Sequence, residues 1–429
     1  MGGTPSGNRA ARYAADTFRQ MRLETVVVED PERLAHWEEQ WAVGVTDDGP
    51  PFQSAYPYGY SPAVTKRAGL LLAGGDLTSV DPRWSGAVVW TSSFSGSAYE
   101  RLRESAVRPL AILAAEAEPG PAAEAARLHD LPSRPDNPTA VFALSYDDSR
   151  RLVRVGGPAG RGASSIQVDV ALVSRIAALP PKTVIATMAG RSERYVLIGA
   201  HGDSDSGGPG ADDNASGVAT VMEIARVLNA MVQAGRLPRP TLALRFVVWG
   251  SEFHSARAFI EREGRRLQQC AAVINFDETG TGAEREAVYA ESNDVPWNET
   301  LLRTFEHVGK TYLGKEGFWP EFATNPSQGG SDSYAFLPRA HKGSGVTGLR
   351  IPSTTVYTAA WDKLATLDQT PGWLTLQRGV APGKVVIDYS RYYHSGADTP
   401  ENTTEREPQN MVRAAKLVAL ALLRLAWRS

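Results

Sequence analysis

The spacing of apolar residues gives the chain three textures. Residues 9–22 place Ala11, Ala14, Ala15, Phe18 and Met21 at helical intervals, and a short strand, Glu24 to Val28, follows. Residues 43–62 are rich in Gly, Pro, Asp and Ser and read as loop. Between 65 and 165 come short apolar bursts at Gly69–Leu72, Ala87–Trp90, Pro109–Leu113 and Ala140–Leu144, which predict strands. A helix is expected at Ala98–Ser105, and Pro- and Gly-rich stretches (Glu118–Pro121, Leu131–Pro138, Gly156–Gly162) punctuate the region. This is the pattern of a small β-rich module.

From 166 onward strands alternate with helices. Thr183–Met188, Tyr195–Ala200, Thr241–Trp249, Ala272–Phe276 and Ser353–Tyr357 are β-branched or aromatic runs bounded by turn residues. Ser216–Ala234 and Ser255–Gln269 predict helices, and Pro408–Trp427 carries an apolar stripe at Met411, Ala415, Val418, Leu422 and Leu425. The expectation is an α/β fold: a mixed, mainly parallel central sheet flanked by helices, built from 1–64 and 166–429, with 65–165 as a small inserted β-rich domain. Sites in such sheets form at the carboxyl ends of the strands.

Composition narrows the classes. Of 429 residues, 45 are basic and 48 acidic, a net charge of −3, so a non-specific nucleic-acid binder is not expected. No run approaches the ~18–20 unbroken apolar residues of a membrane span. Met1–Glu24 has scattered charges and no apolar secretion core, which predicts a cytoplasmic protein. Cys270 is the only cysteine; it excludes an intrachain disulfide framework and a Cys-rich zinc site, and reads as a core residue.

The chemistry gathers at strand ends. Tyr195–Ala200 runs into His201-Gly202-Asp203, where an imidazole can bind a metal while a carboxylate fixes its tautomer. Gly210-Ala211-Asp212-Asp213-Asn214-Ala215-Ser216-Gly217 then opens an apolar helix with two adjacent carboxylates, which favours a nearby cation or the helix N-terminus. Thr241–Trp249 ends in Gly250-Ser251-Glu252-Phe253-His254, Ala272–Phe276 ends in Asp277-Glu278, and Tyr392-Tyr393-His394 precedes Asp398-Thr399. Singly, each also reads as a helix cap or a solvated polar group. Together they are the N/O donors from separate elements that zinc and similar ions take.

In this order the motifs resemble the co-catalytic zinc aminopeptidases, family 28 of the metallopeptidases, which has glutaminyl cyclases among its relatives. The resemblance covers about 180–429. The 65–165 module resembles the protease-associated domain inserted in many members, and Ser331-Asp332 matches a recurring Ser-Asp. It implies a zinc aminopeptidase-like three-layer sandwich and a metal-dependent hydrolase cleaving a peptide or small amide. It also implies that His201 and Asp277 bind one ion, that Asp213 bridges to a second, and that His394 binds the second. Asp203 would orient His201, Tyr393 would hold the oxyanion, and Glu252 would act as general base on the attacking water.

One departure stands out. The family pattern has two successive glutamates, base then ligand, and here Phe253 occupies the second position. His254 can replace the missing ligand. Alternatively the register slips, with Glu252 as ligand and Ser251 at the base position, or the site holds a single zinc ion. The departure keeps two other activities open: acyl transfer or cyclisation of glutaminyl cyclase type, and a degenerate peptidase that only binds. The insert Trp361–Trp373 can line a pocket or simply pack.

Overall fold

The computed structural model describes residues 1–427 apart from 47–48, 74, 76, 116–123, 157–165, 206, 283, 294, 328–330, 338–349, 360–365, 369–373 and 382–383. The insert Trp361–Trp373 falls outside the described residues except for the strand Thr366–Asp368.

Among the described residues nine strands form the larger sheet: β1 (Glu24–Glu29), β2 (Lys182–Met188), β3 (Tyr195–His201), β4 (Ala243–Trp249), β5 (Cys270–Phe276), β6 (Ala287–Asn293), β7 (Glu321–Ser327), β8 (Ser353–Tyr357) and β9 (Thr375–Leu376), in the order β1-β2-β4-β3-β5-β8-β6-β7-β9. The central four, β4-β3-β5-β8, are parallel, as are β6 and β7. The remaining pairings are antiparallel, so the sheet is mixed and parallel at its centre. Every residue of β3 is buried, which is why it reads as an unbroken apolar run.

Helices cover both faces. On one lie α1 (Pro5–Gln20), α2 (Gly217–Gln233), α4 (Glu299–Tyr312) and α5 (Gln409–Ala426); on the other lies α3 (His254–Glu263). Phe18 of α1 stacks on Phe246 of β4, and α2 buries Val221, Ile224, Ala225 and Leu228 on the same side. Residues Ala211–Gln233 are long and apolar enough to match a membrane span by composition, but half of that stretch is buried inside the molecule. On the far face Phe259 of α3 meets Trp249 edge-on. Burial pushes the Cys270 thiol up to about 12, in keeping with a core residue.

A second sheet has the order Arg33–Val45, Gln167–Leu179, Val64–Leu72, Val88–Thr91, Ala111–Ala115, Ala140–Leu144, Tyr56–Pro57. The module expected at 65–165 thus sits inside a sheet that draws its longest pair, Arg33–Val45 against Gln167–Leu179, from either side of those bounds. The loop expected at 43–62 is also shorter: its ends join strands at Val45 and at Tyr56–Pro57. The helix expected to run to Gln269 tightens into a 3-10 turn at Gly264–Gln269.

Candidate active site

The site sits where the parallel strands end. His201 closes β3, Asp277 follows β5 directly, and Glu252 lies in the turn after β4. Asp213 belongs to a widened turn, Ala211–Ser216, that leads into α2. That turn is held by Asp398, whose two carboxylate oxygens accept the main-chain N–H of Asp212 (2.8 Å) and of Asp213 (3.0 Å). Asn214 ties it to β5 by donating to the Phe276 carbonyl at 2.9 Å. A Cβ on Gly217 would overlap Asn214 Oδ1, so only glycine lets the helix start this close.

Asp213 lies between two imidazoles. Its Oδ1 is 3.4 Å from His201 Nε2, and its Oδ2 is 3.0 Å from His394 Nε2. Asp277 Oδ1 is 3.5 Å from the same His201 nitrogen. Donor atoms of His201, Glu252 and Asp277 all lie within 4.8 Å of one another. His201 Nε2 and Asp277 Oδ1 are buried with no hydrogen-bond partner, as expected of groups facing an ion. Imidazole nitrogens and carboxylate oxygens in this arrangement fit a divalent cation of the zinc type.

Supporting contacts set the orientations. His201 Nδ1 is 3.0 Å from the Asp203 carbonyl oxygen and 3.5 Å from its carboxylate. The Asp203 carbonyl and carboxylate thus both lie beside this ring nitrogen, and the Asp203 Oδ1 accepts the N–H of Glu252 at 2.9 Å. His394 Nδ1 is 3.0 Å from Asp205, a partner the sequence did not single out. Asp332 accepts the N–H of Phe253 at 2.8 Å. The Tyr393 ring stacks on His394, 3.7 Å between centroids.

His254 is not brought to this group. It is the first residue of α3, and its Nε2 lies 2.8 Å from the Pro31 carbonyl oxygen at the surface. Phe253 takes a left-handed φ of 52° and turns its ring edge-on to Tyr334. The turn before α3 sends that ring to the protein's edge, away from His201, Glu252 and Asp277.

Burial and crowding shift these groups. Burial pushes the Glu252 carboxyl well above the usual range; His201 opposes this, and Asp277, Asp332 and Asp213 add to it. Burial likewise pushes Asp212 and Asp332 up to about 7. Against its burial, His201 holds Asp203 down at about 2. Burial works to lower both imidazoles, but Asp277 and Asp203 hold His201 well above the ordinary value, and Asp213 and Asp205 hold His394 above it. So many buried carboxyls facing two imidazoles favour a multiply charged cation.

The second sheet's unit reaches this site. Leu128 donates its N–H to the His394 carbonyl at 2.6 Å, and Arg127 bridges to Ser395. Tyr56 donates its O–H to the Gly396 carbonyl at 3.3 Å, and a Cβ on Gly396 would overlap the Tyr56 ring.

The family model for peptidase family M28 matches residues 183–419, more than half of the chain. The chain belongs to peptidase family M28. The match includes His201, Asp213, Glu252, Asp277 and His394, and excludes every strand of the second sheet. This M28 chain is 38% identical over 113 residues to a probable lipoprotein aminopeptidase, LpqL, of Mycobacterium tuberculosis, covering 25% of this chain and 21% of that one. It is 26% identical over 273 residues to leucine aminopeptidase 2 of Trichophyton equinum, covering 62% of this chain and 48% of the relative. The chain thus spans about half the length, or less, of these curated relatives. Among solved structures, a zinc aminopeptidase from Bacillus subtilis superposes with a TM-score of 0.64 at 17% identity, covering 100% of this M28 chain and 91% of the other. An M28 peptidase precursor from Shewanella amazonensis gives 0.63 at 15% identity, covering 98% and 88%. These two likenesses establish the fold.

Proposed function

We propose that the protein is a zinc-dependent hydrolase of aminopeptidase type that cleaves the amide bond of a peptide or small amide. The observation that carries this is the Asp213 carboxylate, with one oxygen facing each of two imidazoles and with Asp277 and Glu252 alongside. The names of the relatives, aminopeptidases in each case, support the same reading.

His201, Asp277 and Asp213 would hold one ion, and His394 with Asp213 faces a second position. A divalent ion there supplies a Lewis acid for the scissile carbonyl and lowers the pKa of a water molecule toward about 7. Glu252 takes the proton from the attacking water on its carboxylate and returns it to the leaving nitrogen as the C–N bond breaks. Its buried, anion-crowded setting makes it a stronger base than an exposed glutamate. Asp203, by accepting the Glu252 N–H, keeps that side chain at the strand end. Burial holds the Tyr393 phenol far above its ordinary value, so it stays protonated and donates to the developing oxyanion. The anionic surroundings favour a free α-ammonium at the end of the substrate.

The test is hydrolysis of leucyl-4-nitroanilide. Activity should vanish on treatment with a chelator and return on adding zinc. Glu252→Gln should keep the metal and lose roughly 10²–10⁴ in kcat. Reaction in heavy-oxygen water should place one label in the product carboxylate. An unlabelled product, a chelator without effect, or a fully active Glu252→Gln would overturn the reading.

A further inference from the structure

On the His394 side of the Asp213 bridge the protein offers few donors. His394 Nε2 meets Asp213 Oδ2, and its other nitrogen is taken by Asp205. Phe253 has turned toward Tyr334, and His254 toward Pro31. Two protein ligands are too few for an ion that usually takes three or four.

Glu278 follows Asp277 directly after β5. It is 1% exposed, and its Oε1 is buried without a hydrogen-bond partner. In a strand that ran on past β5, residues 277 and 278 would point to opposite faces. Instead Glu278 takes a left-handed φ of 46°, and Thr358 fixes its carbonyl by donating its N–H at 3.1 Å. The alternation is broken, and the charges that act on Glu278 are those of Asp212, Asp213, Asp277 and Asp398. It is also the strongest charge acting on the Tyr393 phenol, whose ring stacks on His394. Asp332, whose Oδ2 is also buried without a partner, instead faces His201, Asp277 and Asp203. A strained backbone that carries an unpaired carboxylate into an anionic cluster is costly unless a ligand uses it.

We propose that Glu278 is a ligand of a second divalent cation, completing with Asp213 and His394 the side of the bridge that Phe253 leaves without a donor. This rests on the metal centre proposed above. The carboxylate comes from the end of β5 rather than from the turn after β4, so the site binds two ions without an acidic residue at 253.

The experiment titrates the metal-stripped full chain with zinc by calorimetry and counts bound ions by elemental analysis. The wild type should take two ions. Glu278→Gln, the same shape without charge, should keep the first at unchanged affinity and weaken the second at least roughly tenfold. Phe253→Ala should keep both. Thermal melting without metal separates a ligand from a structural prop: Glu278→Gln should melt no lower than wild type, and should gain less on zinc addition. Glu278→Asp, which withdraws the carboxylate but keeps its charge, should also weaken only the second ion. Two ions at wild-type affinity in the Gln and Asp variants would overturn the proposal, as would a single ion in the wild type; both leave the hydrolase reading standing. A wild type that takes no ion would overturn both.

Discussion

Asp398 never faces His201 directly, yet it places Asp213. Both of its oxygens are spent on the N–H groups of the Asp212–Asp213 turn. Asp398→Asn would set an amide NH2 against one of those N–H groups, donor against donor. Zinc affinity should fall roughly 10–100-fold with the fold retained, read by competition with a chelating dye. Unchanged affinity would mean the turn holds itself. At this scale the sequence was informative where a polar residue follows an apolar run. His201 and Asp277 could be picked out that way, Asp213 by the paired carboxylates that open an apolar helix and His394 by its Tyr-His…Asp-Thr block, and the structure brings the four together. Direction was not legible. Nothing in Glu252-Phe253-His254 shows that a left-handed residue 253 turns His254 to Pro31. Asp205 went unnoticed because it lies in a polar loop that reads as solvent-exposed.

The loop that carries Tyr393, His394 and Asp398 leans on the other sheet. Gly396 sits under the Tyr56 ring, where a side chain has no room. Gly396→Ala should push this loop outward and lower kcat at least roughly tenfold, with little change in melting temperature. Tyr56→Ala added to Gly396→Ala should restore part of the activity by clearing the space. A fully active Gly396→Ala would show that the loop adapts. Elements were legible in proportion to their burial. The all-buried β3 and β8 could be read almost to the residue. The pair Arg33–Val45 and Gln167–Leu179 could not, because its faces mix buried and exposed positions and charged side chains interrupt the alternation. A long two-stranded ribbon that joins two units carries no single apolar face to announce it.

Across the whole molecule, buried carboxyls set the response to pH. Burial pushes Glu291 up to about 8, and Asp212 and Asp332 up to about 7. In the unfolded chain such groups titrate near ~4. Between those values the folded protein holds protons that the unfolded one has released, so the stability these groups contribute is full below about pH 4 and is lost as pH rises toward about 8. The raised pKa values of His201 and His394 act in the same direction at the upper end. Metal-free protein should therefore melt at a lower temperature at pH 8 than at pH 5.5, and zinc should flatten or reverse the trend, because its ligands bind deprotonated. A metal-free midpoint that rises with pH would contradict the crowding described here.

The main-chain bond from Leu128 to the carbonyl of His394 has an operational meaning. One half of the machinery is moored to a neighbour that belongs to the other lobe. Heat or a proteolytic nick that loosens that neighbour would cast off an imidazole while the larger lobe still stands. The proposed hydrolysis would fall silent before the fold falls apart, so loss of turnover would serve as an early alarm for damage elsewhere in the chain.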